Sequence, residues 1–158
     1  MADRKPQGKV ITQNKKAWHD YFVDEKFEAG IELFGTEVKS LRQGAVNLKD
    51  SYCSFKNGEI FALGVHISPY EKGNIFNREP LRPKRLLMHK REIIKLAGKA
   101  AEKGSSVIPL SLYFVGSRVK MEIGLCRGKK LYDKREDMAR ASAKRDIERA
   151  YKSSQKGD

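Results

Sequence analysis

Acidic residues are in short supply in this 158-residue chain: 20 Asp and Glu stand against 33 Lys and Arg, a formal net charge of +13. Such an imbalance says nothing about fold, but it points to a polyanionic partner. Cysteine is also scarce. Cys53 and Cys126 stand alone, with no CxxC and no nearby histidine, which argues against a thiolate metal site, and without a secretion signal a disulfide is not expected. Both are read as reduced thiols in apolar strands. Long apolar runs are missing: none approaches the roughly 20 residues of a membrane span. The opening MADRKPQGK lacks the apolar stretch of a secretory signal, so the cytoplasm is the expected compartment. No basic helix carries a large apolar opposite face, so a membrane surface is not the expected partner either. Nucleic acid is then the leading partner class.

Catalytic signatures are equally sparse. His19, His66 and His89 are far apart and none belongs to a metal-ligand spacing. No G-x-x-x-x-G-K-[ST] phosphate loop and no G-x-S-x-G elbow occurs. SSQK at 153–156 matches S-x-x-K in form only, since it lies at the end of a polar tail. Catalysis, by a nuclease or an RNA-modifying enzyme for example, is the weak hypothesis, and no cofactor, metal or small-molecule substrate is expected.

What is present reads as a small β domain with basic extensions. Residues 1–13 are polar and aperiodic and are expected to be disordered. The run WHDYFVDEKFEAGIELF (18–34) is aromatic and β-branched enough for strand. GTEVKSLRQG is punctuated as a short helix, with Thr36 as its cap, Glu37 in the first turn and Gly44 closing it. Asn57-Gly58 supplies the positive φ angles of a two-residue hairpin, and Phe61, Leu63, Val65 and Ile67 then alternate toward one side. Residues 68–85 hold three prolines and read as a long basic loop. A helix is expected next, with Leu86, Ile93, Ala97 and Ala100 at helical spacing and Gly104 at its end.

A second hairpin follows. Ile108, Leu110, Leu112 and Phe114 face one way, VGSR turns, and Val119, Met121, Ile123 and Leu125 return, with Pro109 marking an edge or a bulge. The fold class expected is mainly β with helices. In detail it would be an OB-fold-like small antiparallel Greek-key barrel over 14–126, with a short helix and a longer flanking helix. Periodicity does not separate that barrel from a sandwich.

The segment 127–158 carries 11 Lys and Arg against 6 Asp and Glu. Asp133 with Glu136 has the layout of a capping box. Ala139, Ala143 and Ile147 make a thin stripe, and Glu136 with Arg140 is a favourable pair four residues apart. This is expected to be a basic C-terminal tail, disordered or helical on binding.

A basic barrel of this kind can neutralise phosphates with Lys and Arg and stack bases on exposed rings. Phe27, Phe34, Phe55, Phe61 and Phe114 are expected in the core, whereas Tyr21, Tyr52 and Tyr132 sit among polar neighbours and are better placed for partial exposure. Lys39 and Arg42, three apart on the short helix, share a face; a phosphate site and a merely solvated face remain equally open.

Five stretches, FEAGIELFGTEVKSLRQG, NLKDSYC, HISPYE, RLLMHKREI and GKKLYDKRE, resemble the SsrA-binding protein (SmpB) family of bacteria in the same order and spacing, over about residues 10–150. The resemblance implies a non-catalytic RNA-binding protein with an OB-fold barrel and a flexible basic tail. It would bind the tRNA-like domain of transfer-messenger RNA (tmRNA) and, with elongation factor Tu, deliver it to stalled ribosomes for trans-translation. The family's RNA-facing positions correspond to Asn14, Lys16, Tyr21, Glu28, Glu37, Lys39, Arg42, Tyr52, Leu87, His89, Lys90 and Arg91. Glu28 and Glu37 fit a phosphate site poorly; each could accept from a base edge or 2′-hydroxyl, or hold a neighbouring Arg. In the tail, the resemblance puts Tyr132, Asp133, Lys134 and Arg135 at the decoding centre, with Lys129 and Lys130 leading in and Ile147 on a helix in the vacant message channel. Tyr132 stands where the family often has His, so it keeps a ring for stacking but cannot become charged near neutral pH. The alternative is a basic OB-like ribosomal or other structural RNA-binding protein.

Overall fold

The structure is a computed structural model that describes residues 8–156. Residues 1–127 form one compact unit and 128–158 a second. The elements of the first unit are β1 (Val10–Gln13), α1 (Lys15–Asp20), β2 (Tyr21–Ile31), α2 (Gly35–Arg42), β3 (Val46–Asn47), β4 (Tyr52–Lys56), β5 (Glu59–Leu63), β6 (His66–Ile67), β7 (Lys84–Leu87), α3 (Lys90–Lys103), β8 (Ser106–Val115) and β9 (Arg118–Gly128). Seven strands form one sheet in the order β1-β8-β9-β2-β7-β5-β4, and β3 pairs separately with β6.

The expected mainly β, antiparallel fold with helices is the observed one, but the barrel does not close. β1 and β4 are the two ends of the sheet. β4 comes back within contact of β8, whose strand neighbours are β1 and β9. The hydrophobic core lies inside the curved sheet, where Ile60, Ala62, Val65, Leu112, Met121, Ile123 and Leu125 are fully buried, and Ile93 and Leu96 of α3 pack against it.

The strongest periodicities survive in the structure. Asn57 and Gly58 both have positive φ, 52° and 76°, and turn β4 onto β5 in unbroken register from Tyr52↔Leu63 to Lys56↔Glu59. β8 and β9 pair from Ser106↔Cys126 to Val115↔Arg118, with the register shift at Pro109/Ser111 that a residue without an N–H imposes. Gly104, at φ 60°, closes α3.

Other expectations are corrected. Residues 1–13 were expected to be disordered, yet Val10–Gln13 pair with β8; residues 1–7 lie outside the described part. The strand expected from Trp18 begins at Tyr21, because Asn14 caps a short helix ahead of it through Ala17 N–H. The cap of α2 is Phe34, not Thr36, since Glu37 reaches back to the Phe34 N–H at 2.8 Å. Phe61 and Leu63 do not share a side with Val65 and Ile67. Ile60 and Ala62 point inward, and Gly64 at φ 74° flips the alternation, bringing Val65 and Ile67 into the core.

The basic loop ends at Pro83 rather than 85, because a strand begins at Lys84. Lys84–Leu87 is a strand that pairs with both β2 and β5, so Leu86 and Leu87 are sheet residues and α3 starts at Lys90. A lysine fits inside that strand because its ammonium donates to the carbonyls of Val65 (2.7 Å), Arg82 (2.8 Å) and Pro80 (3.1 Å).

The second unit is one helix, α4 (Leu131–Lys156). It starts two residues before the expected Asp133, whose carboxylate instead accepts from the Lys130 N–H at 3.1 Å, as the third residue of a helix can. The expected Glu136–Arg140 pair is present at 3.4 Å. Positions 139–150 are all exposed, consistent with a stripe too thin to drive packing.

Candidate nucleic-acid interface

The sequence-predicted residues of the first unit fall into three patches. The first is a cleft of about 640 Å³ lined by Asn14, Lys16, Tyr21 and Tyr52, with Asp50, Cys53, Phe55 and Ala97 among its other walls. Tyr52 is half exposed, and Tyr21 is half-buried. Lys16 meets Asp50 at 2.6 Å, both side chains being well exposed, and this pairing raises the lysine pKa above, and lowers the aspartate pKa below, the ordinary value. Asn14 differs from its neighbours: it is 4% exposed. Its Oδ1 accepts from Ala17 N–H, and its Nδ2 donates to the carbonyls of Pro109 (2.9 Å) and Leu48 (3.2 Å). Asn14 therefore builds the wall of the cleft and presents almost nothing to a partner.

The second patch is a cleft of about 560 Å³ lined by Glu28, Leu87 and His89, together with Gly30, Arg85 and Lys120. Glu28 is exposed yet positioned, accepting from the buried Tyr113 hydroxyl at 2.5 Å. Burial, then Glu28 itself, pushes the Tyr113 phenol pKa far up, so the hydroxyl stays a donor. Leu87 is 49% exposed, an apolar surface at the cleft that a base can cover. His89 is the N-cap of α3 without a side-chain cap bond, and Lys90 and Arg91 occupy its first turn, exposed. Cations oppose the helix dipole there, so they do not serve the helix. With the positive end of the α3 dipole they add to potential suited to a phosphate.

The third patch is α2. Lys39 and Arg42 are exposed on its surface, with the Lys39 ammonium 5.5 Å from the centre of the Tyr70 ring. Glu37, by contrast, is 5% exposed and holds the Arg82 guanidinium at 2.6 Å. Of the two roles left open for this carboxylate, the geometry is that of holding a neighbouring arginine.

Sequence reasoning missed residues around this patch. Phe34 was expected in the core but is 40% exposed, with the Arg78 guanidinium 3.9 Å and the Arg82 guanidinium 4.8 Å from its ring centre. Its position just before GTEVKS, at the helix cap, was the available signal. Trp18 is likewise exposed, with the Lys26 ammonium 5.1 Å from its ring. Phe27, Phe55 and Phe114 pack on the core as expected, and Phe61 is half-buried.

In the second unit Tyr132 is 68% and Ile147 70% exposed. Tyr132 hydrogen-bonds with Glu136, which first among its neighbours raises the phenol pKa. Lys129 pairs with Asp137; Lys130 and Arg135 are exposed, and Asp133 and Lys134 half-buried. Both cysteines are free, and burial pushes the Cys126 thiol up to about 12 and Cys53 higher still. Among the described residues no group of His, Cys, Asp and Glu could hold a metal ion. No described helix is long and apolar enough to cross a membrane.

The model of the SmpB protein family matches residues 11–153 of this chain. The chain belongs to the SmpB family. It is 55% identical over 157 residues to the SsrA-binding protein of Caldanaerobacter subterraneus, covering 99% of both chains. With that of Carboxydothermus hydrogenoformans it shares 58% over 144 residues, 91% of this chain and 97% of the relative. The SsrA-binding protein of Bacillus subtilis is 56% identical over 153 residues, 97% and 98% of the two chains. Among solved structures, a chain described as tmRNA-SmpB, in work on the centre of the bacterial ribosome, superposes with a TM-score of 0.68. It is 44% identical, with 85% of this chain and 97% of that chain covered.

Proposed function

We propose that the protein binds the tRNA-like domain of tmRNA and delivers it to stalled ribosomes for trans-translation, the tail occupying the empty message channel and the decoding centre. The observation that carries this reading is the near full-length similarity to proteins named SsrA-binding protein, 55–58% identical. The chemistry agrees with it. Lys16, Lys39, Arg42, Lys90 and Arg91 are exposed cations on the first unit, suited to phosphates. Tyr21, Tyr52 and Leu87 offer surfaces for unstacked bases, and Glu28 is positioned to accept from a base edge or a 2′-hydroxyl. Asn14 and Glu37 hold this surface from beneath. In the tail, Lys129, Lys130, Tyr132, Asp133, Lys134 and Arg135 face decoding-centre RNA, and Ile147 lies on the channel helix. Elongation factor Tu completes the delivery complex, the protein acts in the cytoplasm, and it catalyses no reaction itself.

Two measurements test this. Pull-down of the full chain from a bacterial lysate, followed by sequencing of bound RNA, should return tmRNA as the dominant species. Truncation after Arg127 should leave tmRNA affinity within about twofold, because the truncated cations are not those assigned to tmRNA, yet abolish peptide tagging on stalled ribosomes. Tagging that survives truncation sinks the account of the tail.

A further inference from the structure

The loop between β6 and β7 exposes apolar side chains that the core does not use. Ile75 is 89% and Phe76 69% exposed, at a short 3-10 turn. Exposed apolar tips are common on floppy loops, but this loop is fastened. The Thr36 hydroxyl of α2 donates to the Phe76 carbonyl at 3.1 Å. Asn77 brackets Tyr70, accepting its N–H at 2.9 Å and donating to its carbonyl at 2.8 Å. At Gly73 a Cβ would come within 2.6 Å of Asn77 Oδ1 and 3.0 Å of Thr36 Cγ2, so the backbone packs directly on α2. The chain thus holds Ile75 and Phe76 out in water on a fastened backbone, as a surface kept for a partner would be.

The groups around the tip indicate the partner's chemistry. Arg78 lies against the Phe34 ring, 3.9 Å from its centre, and among the described residues it pairs with no carboxylate. A guanidinium stacked by its face keeps its N–H edge available for a phosphate. Lys39 is held over Tyr70 of the same loop. An exposed aromatic on a loop that also presents the Arg78 guanidinium edge matches an RNA with an unstacked base, the ring taking the base and the arginine a neighbouring phosphate. Because Lys39 belongs both to this loop's contacts and to the α2 surface assigned above to tmRNA, the two surfaces are continuous.

We propose that the Ile75–Phe76 tip and Arg78 form a further tmRNA contact, Phe76 stacking on an unpaired nucleotide and Arg78 binding a phosphate beside it. The inference rests on the tmRNA reading above. The test uses the full chain and the tRNA-like domain of tmRNA as probe, with affinity measured over a salt series. Phe76→Ala should weaken binding roughly tenfold, from the loss of one stacked base, with the salt slope unchanged. Arg78→Ala should lower the log–log salt slope by about 0.7–0.9, the signature of one phosphate. Arg78→Lys should restore the slope but not the full affinity, since an ammonium does not stack as a guanidinium does. Thermal midpoints of all three should match the wild type, because Phe76 and Arg78 are exposed. If the wild type binds the probe and Phe76→Ala binds it within twofold, with Arg78→Ala keeping the slope, the contact does not exist. If those variants lose ribosome association instead, the loop faces the ribosome and the proposal is equally overturned. Failure of the wild type to bind the probe refutes the tmRNA reading itself.

Discussion

Substituting Asn14 separates a residue that touches RNA from one that shapes the surface for it. Its side chain makes three hydrogen bonds with almost no exposure: Oδ1 takes the Ala17 N–H at 3.1 Å, and Nδ2 gives to Pro109 and Leu48 carbonyls at 2.9 and 3.2 Å. Losing the helix cap costs about 1 kcal/mol. Losing a buried donor costs about 1 kcal/mol for each acceptor left without a partner; the Leu48 carbonyl keeps Ser51 N–H and Ser51 hydroxyl as donors, so its share is the smaller. Asn14→Ala should therefore cost about 2–3 kcal/mol, and with an m-value of about 2 kcal/mol/M the urea midpoint should fall by roughly 1–1.5 M. Measured where both forms are folded, tmRNA affinity should stay within about twofold and its salt slope should not move. Asn14→Asp is the sharper variant. It keeps the cap acceptor but turns an oxygen toward two carbonyls, so it should be at least as destabilised at pH 7. Burial beside two carbonyls should raise the pKa of that carboxyl in the folded state, so the unfolded chain would bind fewer protons and the variant should regain stability as pH falls toward 4. An unchanged midpoint with a tenfold loss of RNA affinity would refute the reasoning and restore Asn14 as a direct ligand.

Two further predictions concern the loop root and α2. Lys84 is fully buried and donates to three carbonyls, so Lys84→Met should destabilise by about 3 kcal/mol through acceptors left unsatisfied; a midpoint shift below about 0.5 M urea would remove it as the clasp of the 80–84 turn. Burial lowers the Lys84 pKa from 10.5 to about 8. Between those values the unfolded chain holds the extra proton, so wild-type stability relative to Lys84→Met should rise as pH goes from 8 to 10.5, read as a widening gap in urea midpoints. On α2, Lys39→Ala with Arg42→Ala should lower the tmRNA salt slope by about 0.7–0.9 for each phosphate no longer neutralised, measured by equilibrium binding from low to high salt; an unchanged slope takes both out of the interface.

Much of the fold was legible because its strongest signals are local. A positive-φ pair at Asn57-Gly58, a proline bulge at Pro109 and a left-handed Gly104 act on neighbouring backbone and need no distant partner. Most of the misreadings have the opposite property. Leu86 fits a helical period with Ile93, but Lys84–Leu87 gains ladder partners on both sides from β2 and β5, and strand pairing across such distances leaves no local mark. Gly64 inverted an alternation that looked continuous. Among the site residues, Glu37 and Asn14 were found as positions but their burial was not, because burial is set by Arg82 and Pro109, 45 and 95 residues away.

The charge excess becomes intelligible once the carboxylates are traced. Asp24 pairs with Arg127, Glu25 with Lys99, and Glu32 and Glu59 share Arg85. Those acids serve to place cations of the folded unit, and a carboxylate so engaged adds little to stability when exposed. Glu37 is the exception, buried with Arg82 and with one oxygen, Oε2, lacking a hydrogen-bond partner. An ion pair there is costly to desolvate, and it stands where the 70–82 loop meets α2. Its use is therefore positional: it fixes Arg82 against Phe34, and through that ring the place of Arg78. The most deeply buried acid of the candidate interface thus bears on that surface only through the arginines it arranges.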